Sequence, residues 1–167
     1  MKTLCAWHNW LWRHAPYVVA GISAAMLLTV YLMQHIGGLE PCPLCVTQRY
    51  PHFVAGGLAL AAIALRGWPR AGLTLLSGLA LLATVGYATF HVGVEQEWFE
   101  SSCASGLSIK GSLDNLRALL EAAPIVRCDE IPWSLFGISL AGWNAIASLA
   151  LALFALYSGT RMMLSKT

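Results

Sequence analysis

The sequence carries very little charge for its length. Only 11% of its 167 residues are Asp, Glu, Lys or Arg, and 57% are apolar, whereas soluble proteins have roughly 25% and 45–50%. So few charges cannot cover a surface that faces water, which excludes a disordered chain and an ordinary cytosolic enzyme. The net charge of +2 is too small to indicate a nucleic acid as partner. The composition predicts an integral membrane protein, surrounded by a lipid bilayer.

Long apolar runs stand where charges are missing. A helix that crosses the hydrocarbon core needs about 20 mostly apolar residues. The sequence has four such stretches, at about 16–33, 46–65, 71–90 and 139–157. We therefore expect an all-α fold in which residues 1–167 form a single transmembrane domain. This domain is a four-helix transmembrane bundle with outer loops at 35–45 and 91–132.

The first apolar stretch has a second interpretation, a secretory signal peptide. It is longer than the usual apolar core of a signal, and no Ala-x-Ala-like cleavage site follows it in residues 34–38. We therefore predict that this stretch is retained as a membrane-spanning helix.

The charges that are present are sorted along the chain. Six of the ten Lys and Arg residues lie in the N-terminal tail, in the turn at 66–70 and in the C-terminal tail, while all eight acidic residues lie elsewhere. Because an excess of Lys and Arg marks the cytoplasmic segments of membrane proteins, we expect both termini to be cytoplasmic. The two long loops then face the opposite, outer side.

The second outer loop carries an apolar stripe. Ser112 can cap a short helix that ends before Pro124. Four leucines share one face of this helix, Leu113, Leu116, Leu119 and Leu120. An amphipathic helix beside a bilayer is expected to rest on its surface, and packing against a partner protein is the alternative.

Cysteines are few, but their distribution is informative. Four of the five fall on the predicted outer side, Cys42, Cys45, Cys103 and Cys128. Disulfides form and persist outside the reducing cytosol. The remaining Cys5 lies on the predicted cytoplasmic side, where an unpaired thiol is expected.

The first two of these cysteines form a C-x-x-C pair at the mouth of the second span. A c-type haem site needs a His directly afterwards, and Val46 stands there. A structural zinc site usually has two such pairs, whereas Cys103 and Cys128 are 25 residues apart. A static disulfide remains an alternative, but so short a ring is more typical of redox-active pairs, whose thiolate a helix N-terminus stabilises.

Arg49 lies four residues after Cys45. A second span that began after Arg49 would have too few residues before Arg66 to cross the bilayer, so its helix must start near Val46. Arg49 then lies on the same helix face as Cys45, one turn further on. An interface anchor and a role in stabilising a thiolate or a reduced acceptor are equally consistent with this position. His91 ends the third span on the same side and, taken alone, indicates only a polar boundary.

The combination of these features resembles one family. The matching segments surround the first cysteine pair and follow the last cysteine: Pro41-Cys42-Pro43-Leu44-Cys45, Gln48-Arg49-Tyr50, Cys128-Asp129-Glu130-Ile131-Pro132-Trp133 and Gly137-Ile138-Ser139-Leu140. With four spans, both termini inside and a cysteine pair in the long loop, the chain resembles the DsbB family of disulfide bond formation proteins over nearly its whole length. The resemblance implies a bacterial inner membrane protein with its active cysteines on the periplasmic side.

The resemblance also implies an enzymatic function, that of a thiol:quinone oxidoreductase. In that family a reduced periplasmic dithiol oxidase, DsbA, attacks a loop disulfide, whose counterpart here is Cys103–Cys128. Cys103 is then expected to form the mixed disulfide with the DsbA-like partner. Cys128 is expected to exchange with Cys42. Cys45 is expected to face a membrane quinone and to donate electrons to it.

The resemblance further implies the cofactor and the residues beside it. The cofactor is ubiquinone or menaquinone, Arg49 matches the quinone-side arginine of the family, and His91 falls near a position implicated there. Arg49 and His91 are therefore expected to bind the cofactor, and no metal is expected. The partner can be a general oxidase or a dedicated relative of it.

Two other functions are consistent with parts of the pattern. A vitamin K epoxide reductase-like protein also couples thiols to quinones in a helical bundle, but a C-x-x-C pair ahead of the loop pair argues against it. A transporter or binding subunit could use its cysteines only to staple outer loops. The lack of charged residues within the spans disfavours an ion pathway.

Overall fold

A computed structural model of the chain describes residue 10, residues 12–100 and residues 126–165. These residues form a helical bundle with one small hairpin. Its elements are α1 (Ala15–His35), α2 (Pro43–Thr47), α3 (Arg49–Ala64), α4 (Trp68–Glu95), β1 (Ser134–Leu135), β2 (Ile138–Ser139) and α5 (Leu140–Leu164). Helix α4 packs most extensively on α5 and also on α3, and α3 packs on α1. The prediction of a largely α-helical protein is confirmed.

The helices begin where local sequence favours a helix start. Pro16, Pro43 and Pro69 lie in the first turns of α1, α2 and α4. A proline is tolerated there because the first N–H groups of a helix have no intrahelical partner. Helix α5 starts instead at a serine cap, because Ser139 Oγ accepts a hydrogen bond from the backbone N–H of Gly142 at 3.1 Å.

The bundle buries small side chains and exposes large apolar ones. Alanine fills much of the interior, as at Ala55 and Ala59 on α3 and at Ala152 on α5, all fully buried. Leu60 and Leu153, on the same two helices, are more than half exposed. Small residues allow helix backbones to approach closely, and lipid is as good a solvent for leucine as a protein interior is. This distribution fits helices surrounded by lipid.

Three helices of the described residues are long and apolar enough to cross a membrane: α1, α4 and α5. They correspond to the predicted spans at 16–33, 71–90 and 139–157, and α4 extends beyond its prediction to Glu95. Helix α3 has 16 residues, about 24 Å at 1.5 Å per residue. That is shorter than a hydrocarbon core of about 30 Å, and α3 does not meet the same criterion. The four-span bundle is therefore a proposal, taken up below.

A tight β-hairpin precedes α5 and was not predicted. Strands β1 and β2 pair antiparallel, and the turn between them consists of Phe136 and Gly137 with φ of 54° and 76°. Trp143 ties the hairpin to α5 by donating its indole N–H to the carbonyl oxygen of Leu135 at 3.2 Å. The predicted loop helix at 112–124 and Cys103 lie outside the described residues.

Candidate functional site

The C-x-x-C pair lies at the start of a helix, as predicted. Cys42 is the N-cap of α2, and its Sγ accepts a hydrogen bond from the backbone N–H of Cys45 at 3.3 Å. Both residues are free thiols, and their sulfurs lie 3.1 Å apart, within hydrogen-bond distance. The two sulfurs are therefore close enough to form a disulfide after a small movement.

The pKa values of the two thiols are shifted in opposite directions. The hydrogen bond from the Cys45 thiol lowers the pKa of Cys42 well below its usual range, against the effect of burial, and the His91 ring and the Cys45 backbone N–H add to this lowering. The same hydrogen bond to Cys42, together with burial and the Cys42 charge, raises the pKa of Cys45. Loss of a proton from the reduced pair is thus favoured at Cys42 over Cys45.

Cys128 lies against this pair. It is fully buried and forms one apolar cluster with Cys42 and Val94, and it is part of a disulfide. The cysteine to which it is bonded is not among the described residues. The pairing Cys103–Cys128 therefore stays a prediction.

The acidic residues after Cys128 are partly neutralised by a neighbouring arginine. Arg127 binds Asp129 through two hydrogen bonds, one of them 3.0 Å long, and its Nε lies 3.6 Å from Glu130 Oε1. The guanidinium lowers the pKa of Asp129. These paired charges form an ionic cluster next to the buried Cys128.

His91 lies beside Cys42. Its Nε2 is 3.6 Å from Cys42 Sγ, and its Nδ1 accepts a hydrogen bond from Gln48 Nε2 at 2.8 Å. Its Nε2 is also 3.9 Å from Glu95 Oε1, and Ser139 Oγ donates a hydrogen bond to the same carboxylate. This histidine, predicted as a cofactor ligand, thus contacts the thiol of the pair.

A cavity of about 370 Å³ opens on the other side of the pair. Apolar side chains of α1, among them Met26 and Val30, form much of its wall. Its polar lining includes Cys45, Gln48, Arg49, His52 and Asn144. Neither Cys42 nor His91 is among the described residues that line it. The two cysteines therefore face different ways: Cys45 towards the cavity and Cys42 towards Cys128.

Arg49 lines the cavity together with Cys45, although the predicted single helix is divided at Gln48, with Cys45 on α2 and Arg49 at the start of α3. Its Nη1 donates a hydrogen bond to Gln34 Oε1 at 2.8 Å, and its guanidinium lies 4.8 Å from the ring centroid of Tyr31. Both contacts come from α1. They fix the long, flexible side chain of a residue that lines the cavity together with Cys45.

The sequence interpretation missed three polar residues of this region. They are Gln48, which lies between α2 and α3, His52 on α3 and Asn144 on α5. Asn144 is hydrogen-bonded to the other two, which are buried. The sequence signal that could have indicated them is the presence of polar residues within otherwise apolar stretches. An uncharged polar residue in a membrane helix usually finds an internal partner, but its sequence position does not reveal which one.

The donor atoms of Cys42, Cys45 and His91 all lie within 4.8 Å of one another. Two thiolates bound to one tetrahedral zinc ion at 2.3 Å are about 3.8 Å apart. The sulfurs here are closer, at 3.1 Å. The arrangement therefore fits a dithiol that becomes a disulfide better than it fits a zinc site.

The described residues combine apolar helices of membrane length, a pair of thiols at the start of a helix and a neighbouring cysteine that is part of a disulfide. Together these features define a class, the membrane thiol oxidoreductases. Residues 12–158 match the family described as Disulfide bond formation protein DsbB. The chain therefore belongs to the DsbB family, which consists of bacterial membrane oxidoreductases of disulfide bond formation.

Curated relatives agree with this assignment. A protein of Azoarcus sp. (strain BH72) is 34% identical, and the alignment covers 83% of this chain and 87% of the relative. One of Hahella chejuensis (strain KCTC 2396) is 31% identical over 83% and 88%, and one of Stutzerimonas stutzeri (strain A1501) is 29% identical over 84% and 91%. Each is named Disulfide bond formation protein B. No solved structure gives a significant match.

Proposed function

We propose that this protein is a thiol:quinone oxidoreductase of the bacterial inner membrane. It reoxidises a periplasmic thioredoxin-like dithiol oxidase, a DsbA-like partner, and passes the electrons through two cysteine pairs to a membrane quinone. The proposal includes a four-helix bundle in which residues 46–65 form a span in addition to α1, α4 and α5. Both termini are cytoplasmic in it, and the cysteine pairs are periplasmic.

The observation that carries this proposal is the position of the Cys42–Cys45 pair between a disulfide-bonded cysteine and a cavity. Cys42 packs against Cys128, which is part of a disulfide. Cys45 lines the cavity on the other side. A pair placed in this way can exchange with a second cysteine pair at one sulfur while its other sulfur faces a small molecule.

The residues of the cavity fit a quinone head group. Its volume of about 370 Å³ lies within the range of small-molecule pockets. The apolar wall from α1 suits a ring with a hydrocarbon tail, and the Arg49 guanidinium can donate to a carbonyl oxygen. When bound, the quinone supplies an acceptor for two electrons and two protons, so that one hydroquinone forms for each disulfide made.

The exchange steps follow from the chemistry of thiolates. A partner thiolate attacks Cys103, the Cys103–Cys128 bond breaks, and Cys128 leaves as a thiolate. The partner's second thiol then resolves the mixed disulfide, which leaves the partner oxidised and Cys103 and Cys128 reduced. Cys128 next attacks Cys42 of the Cys42–Cys45 disulfide, and Cys45 leaves as a thiolate.

The last exchange returns the loop disulfide. Cys103 attacks Cys128 in the mixed disulfide, the Cys42–Cys128 bond breaks, and Cys42 receives the electron pair. The reduced Cys42–Cys45 pair beside a disulfide at Cys128 is the arrangement of the structure described above. This state holds the two electrons that the quinone accepts.

Cys45 must become a thiolate to act towards the cavity. In the reduced pair its hydrogen bond to Cys42 raises its pKa first of all, and burial and the Cys42 charge raise it further. A disulfide between Cys42 and Cys128 removes both the Cys42 charge and that hydrogen bond. Cys45 then ionises more readily, next to the Arg49 cation.

Free thiols at Cys42 and Cys45 do not favour the alternative in which the cysteines only staple outer loops. A stapling function needs two stable disulfides that resist mild reductant. No contact among the described residues favours a transporter over the oxidoreductase.

The test is turnover by the purified full-length protein with a reduced thioredoxin-like oxidase and ubiquinone. We expect one quinone reduced for each disulfide formed. Replacing a cysteine of either pair by serine abolishes turnover, because the exchange sequence needs every sulfur: Cys42→Ser, Cys45→Ser, Cys103→Ser and Cys128→Ser. Cys5→Ser is the matched control and keeps turnover. Turnover retained in Cys45→Ser contradicts the assigned order.

A further inference from the structure

A chain of side-chain hydrogen bonds leads from Cys42 into the interior of the bundle. His91 Nε2 lies 3.6 Å from Cys42 Sγ, and Gln48 Nε2 lies 2.8 Å from His91 Nδ1. Asn144 Nδ2 donates to Gln48 Oε1 at 2.6 Å. His52 Nε2 lies 3.0 Å from Asn144 Oδ1. These four contacts, here called the amide–imidazole chain, join residues of α3, α4 and α5 to the Cys42 thiol.

The amides give this chain a direction. Asn144 donates its NH₂ group to the Gln48 oxygen, so the Gln48 NH₂ group faces His91 and donates to Nδ1. A neutral imidazole that accepts at Nδ1 carries its hydrogen on Nε2, and Nε2 faces Cys42 Sγ. At the far end, His52 Nε2 donates to Asn144 Oδ1. Every donor in the chain therefore points towards Cys42.

The direction has an electrostatic consequence. Hydrogen bonds that run head to tail polarise one another and strengthen, and the positive end of this chain meets the sulfur of Cys42. His91, Gln48 and His52 are all at most 5% exposed, so water does not replace a missing member without cost. A chain with this polarity stabilises negative charge on Cys42.

We propose that Asn144 and His52 are positioning residues for the thiol chemistry. They hold Gln48 and His91 in the orientation that stabilises the Cys42 thiolate, and they thereby make the Cys42–Cys45 pair more oxidising. No electron or proton passes along the chain in this proposal. The relevance of the effect to turnover rests on the proposed function, whereas the effect on Cys42 itself does not.

The same thiolate matters at one step of the exchange. When Cys103 attacks Cys128 in the mixed disulfide, the bond to Cys42 breaks and Cys42 departs with the electron pair. A leaving thiol with a stabilised thiolate departs faster. A stabilised thiolate also favours the reduced form of a pair and so raises its reduction potential, which draws electrons from the loop cysteines into the bundle.

The pH dependence of Cys42 reactivity reports on this stabilisation. The described titratable groups that face Cys42 are Cys45 on α2, His91 on α4 and, beyond the histidine, Glu95. Thiolate is the reactive form, and its fraction falls as the pH falls through the pKa. Since the pKa of Cys42 is lowered, its reactivity persists to a lower pH than that of a free thiol, whose pKa is about 8.5.

Asn144→Asp is the most informative variant. A carboxylate cannot donate, so it accepts from His52 and from a rotated Gln48, whose oxygen then faces His91. A neutral His91 carries its hydrogen on Nδ1 in that case, and a bare Nε2 faces the sulfur. We expect the midpoint of the alkylation profile of Cys42 to rise by about one pH unit, which is about a tenfold lower rate below the midpoint.

The measurement is pulsed alkylation of the reduced full-length protein across pH, with the position of the label found by fragmentation mass spectrometry. His52→Leu removes only the far end of the chain, so we expect a smaller rise, and it serves as the second variant if Asn144→Asp does not fold. Ser158→Ala, a buried change at the other end of α5, is the matched control and leaves the midpoint unchanged. We also expect the reduction potential of the pair to fall in both chain variants.

An unchanged midpoint and potential in folded Asn144→Asp or His52→Leu overturns the proposal. Equal rises in Ser158→Ala and the chain variants overturn it too, because the effect is then a general loss of packing. Alkylation needs no quinone and no partner. A wild-type protein without quinone turnover therefore contradicts the proposed function and leaves the result for Asn144 and His52 standing.

Discussion

Arg49 shows how neighbouring residues give a single charge a defined position. It begins α3, bonds Gln34 at 2.8 Å and lies over the ring of Tyr31. A cation near a membrane interface is costly unless it has partners or reaches water. The two partners from α1 fix the side chain of a residue that lines the cavity together with Cys45. Its proposed function there is to donate to a carbonyl oxygen or to stabilise a thiolate.

Substitution of Arg49 tests its contribution to cofactor binding. We expect Arg49→Gln to raise the KM for ubiquinone by roughly tenfold or more, since a charge-assisted hydrogen bond contributes about 1.5–3 kcal/mol. The measurement is steady-state turnover at a range of quinone concentrations. Arg66→Gln is the matched control, because Arg66 lies at the far end of the α3 region, and its KM should equal that of the wild type.

A KM that stays the same in Arg49→Gln contradicts the assignment of Arg49 to the cofactor. In that case the arginine acts as an interface anchor, the alternative that its sequence position also allows. A loss in the maximal rate with unchanged KM instead indicates that Arg49 acts on the thiolate of Cys45.

At the scale of elements, the contact between α4 and α5 is the tightest in the bundle. A Cβ atom built on Gly78 of α4 would lie 2.9 Å from Leu156 Cγ and 3.2 Å from the Leu156 backbone nitrogen on α5. A Cβ on Gly86 of the same helix meets nothing within 4 Å. The first glycine is therefore required by close approach, and the second is not.

This difference predicts different effects on stability when leucine replaces Gly78 and when it replaces Gly86. We expect Gly78→Leu to lower stability by at least about 1–3 kcal/mol through overpacking and so to lower the unfolding midpoint in detergent. Gly86→Leu should leave the midpoint unchanged or raise it, because leucine is the better helix former. The measurement is thermal unfolding followed by circular dichroism. Equal midpoints for the two variants contradict the packing of α4 on α5.

At the scale of the whole molecule, the orientation in the membrane decides which partners the cysteines can meet. Basic residues cluster at the predicted cytoplasmic segments, and α2, the hairpin and Cys128 lie near the opposite end of the bundle. The proposed DsbA-like partner is water-soluble, and the proposed quinone acceptor is lipid-soluble. A protein that connects them needs its two cysteine pairs at the outer edge of the bilayer.

Reporter fusions test this orientation. Alkaline phosphatase fused after Glu97 should be active, because the enzyme needs the periplasm to form its own disulfides, whereas a fusion after Gly67 should be inactive. A fluorescent protein that folds only in the cytoplasm should give the reverse pattern at both positions. Activity of phosphatase at Gly67 contradicts the proposed combination of a cytoplasmic N-terminus with a span at 46–65.

The amino-acid sequence determined the class and the main helices, and it predicted a redox function for the C-x-x-C pair. Apolar runs of membrane length predicted α1, α4 and α5, since the hydrocarbon thickness sets a minimum length that few other structures share. Cys45 and Arg49 could be assigned to one side because four residues make about one helical turn. These are local properties, so spacing along the chain is sufficient to find them.

Only the tertiary structure decided which polar groups act together. His91 is 49 residues from Cys42 and Asn144 is 96 from Gln48, and a hydrogen bond between them depends on how three helices pack. The hairpin before α5 was missed because two residues per strand leave no periodicity to detect. Spacing along the sequence defines a helix face, but the packing of helices determines that Cys45 faces a cavity and that Cys42 faces His91 and Cys128.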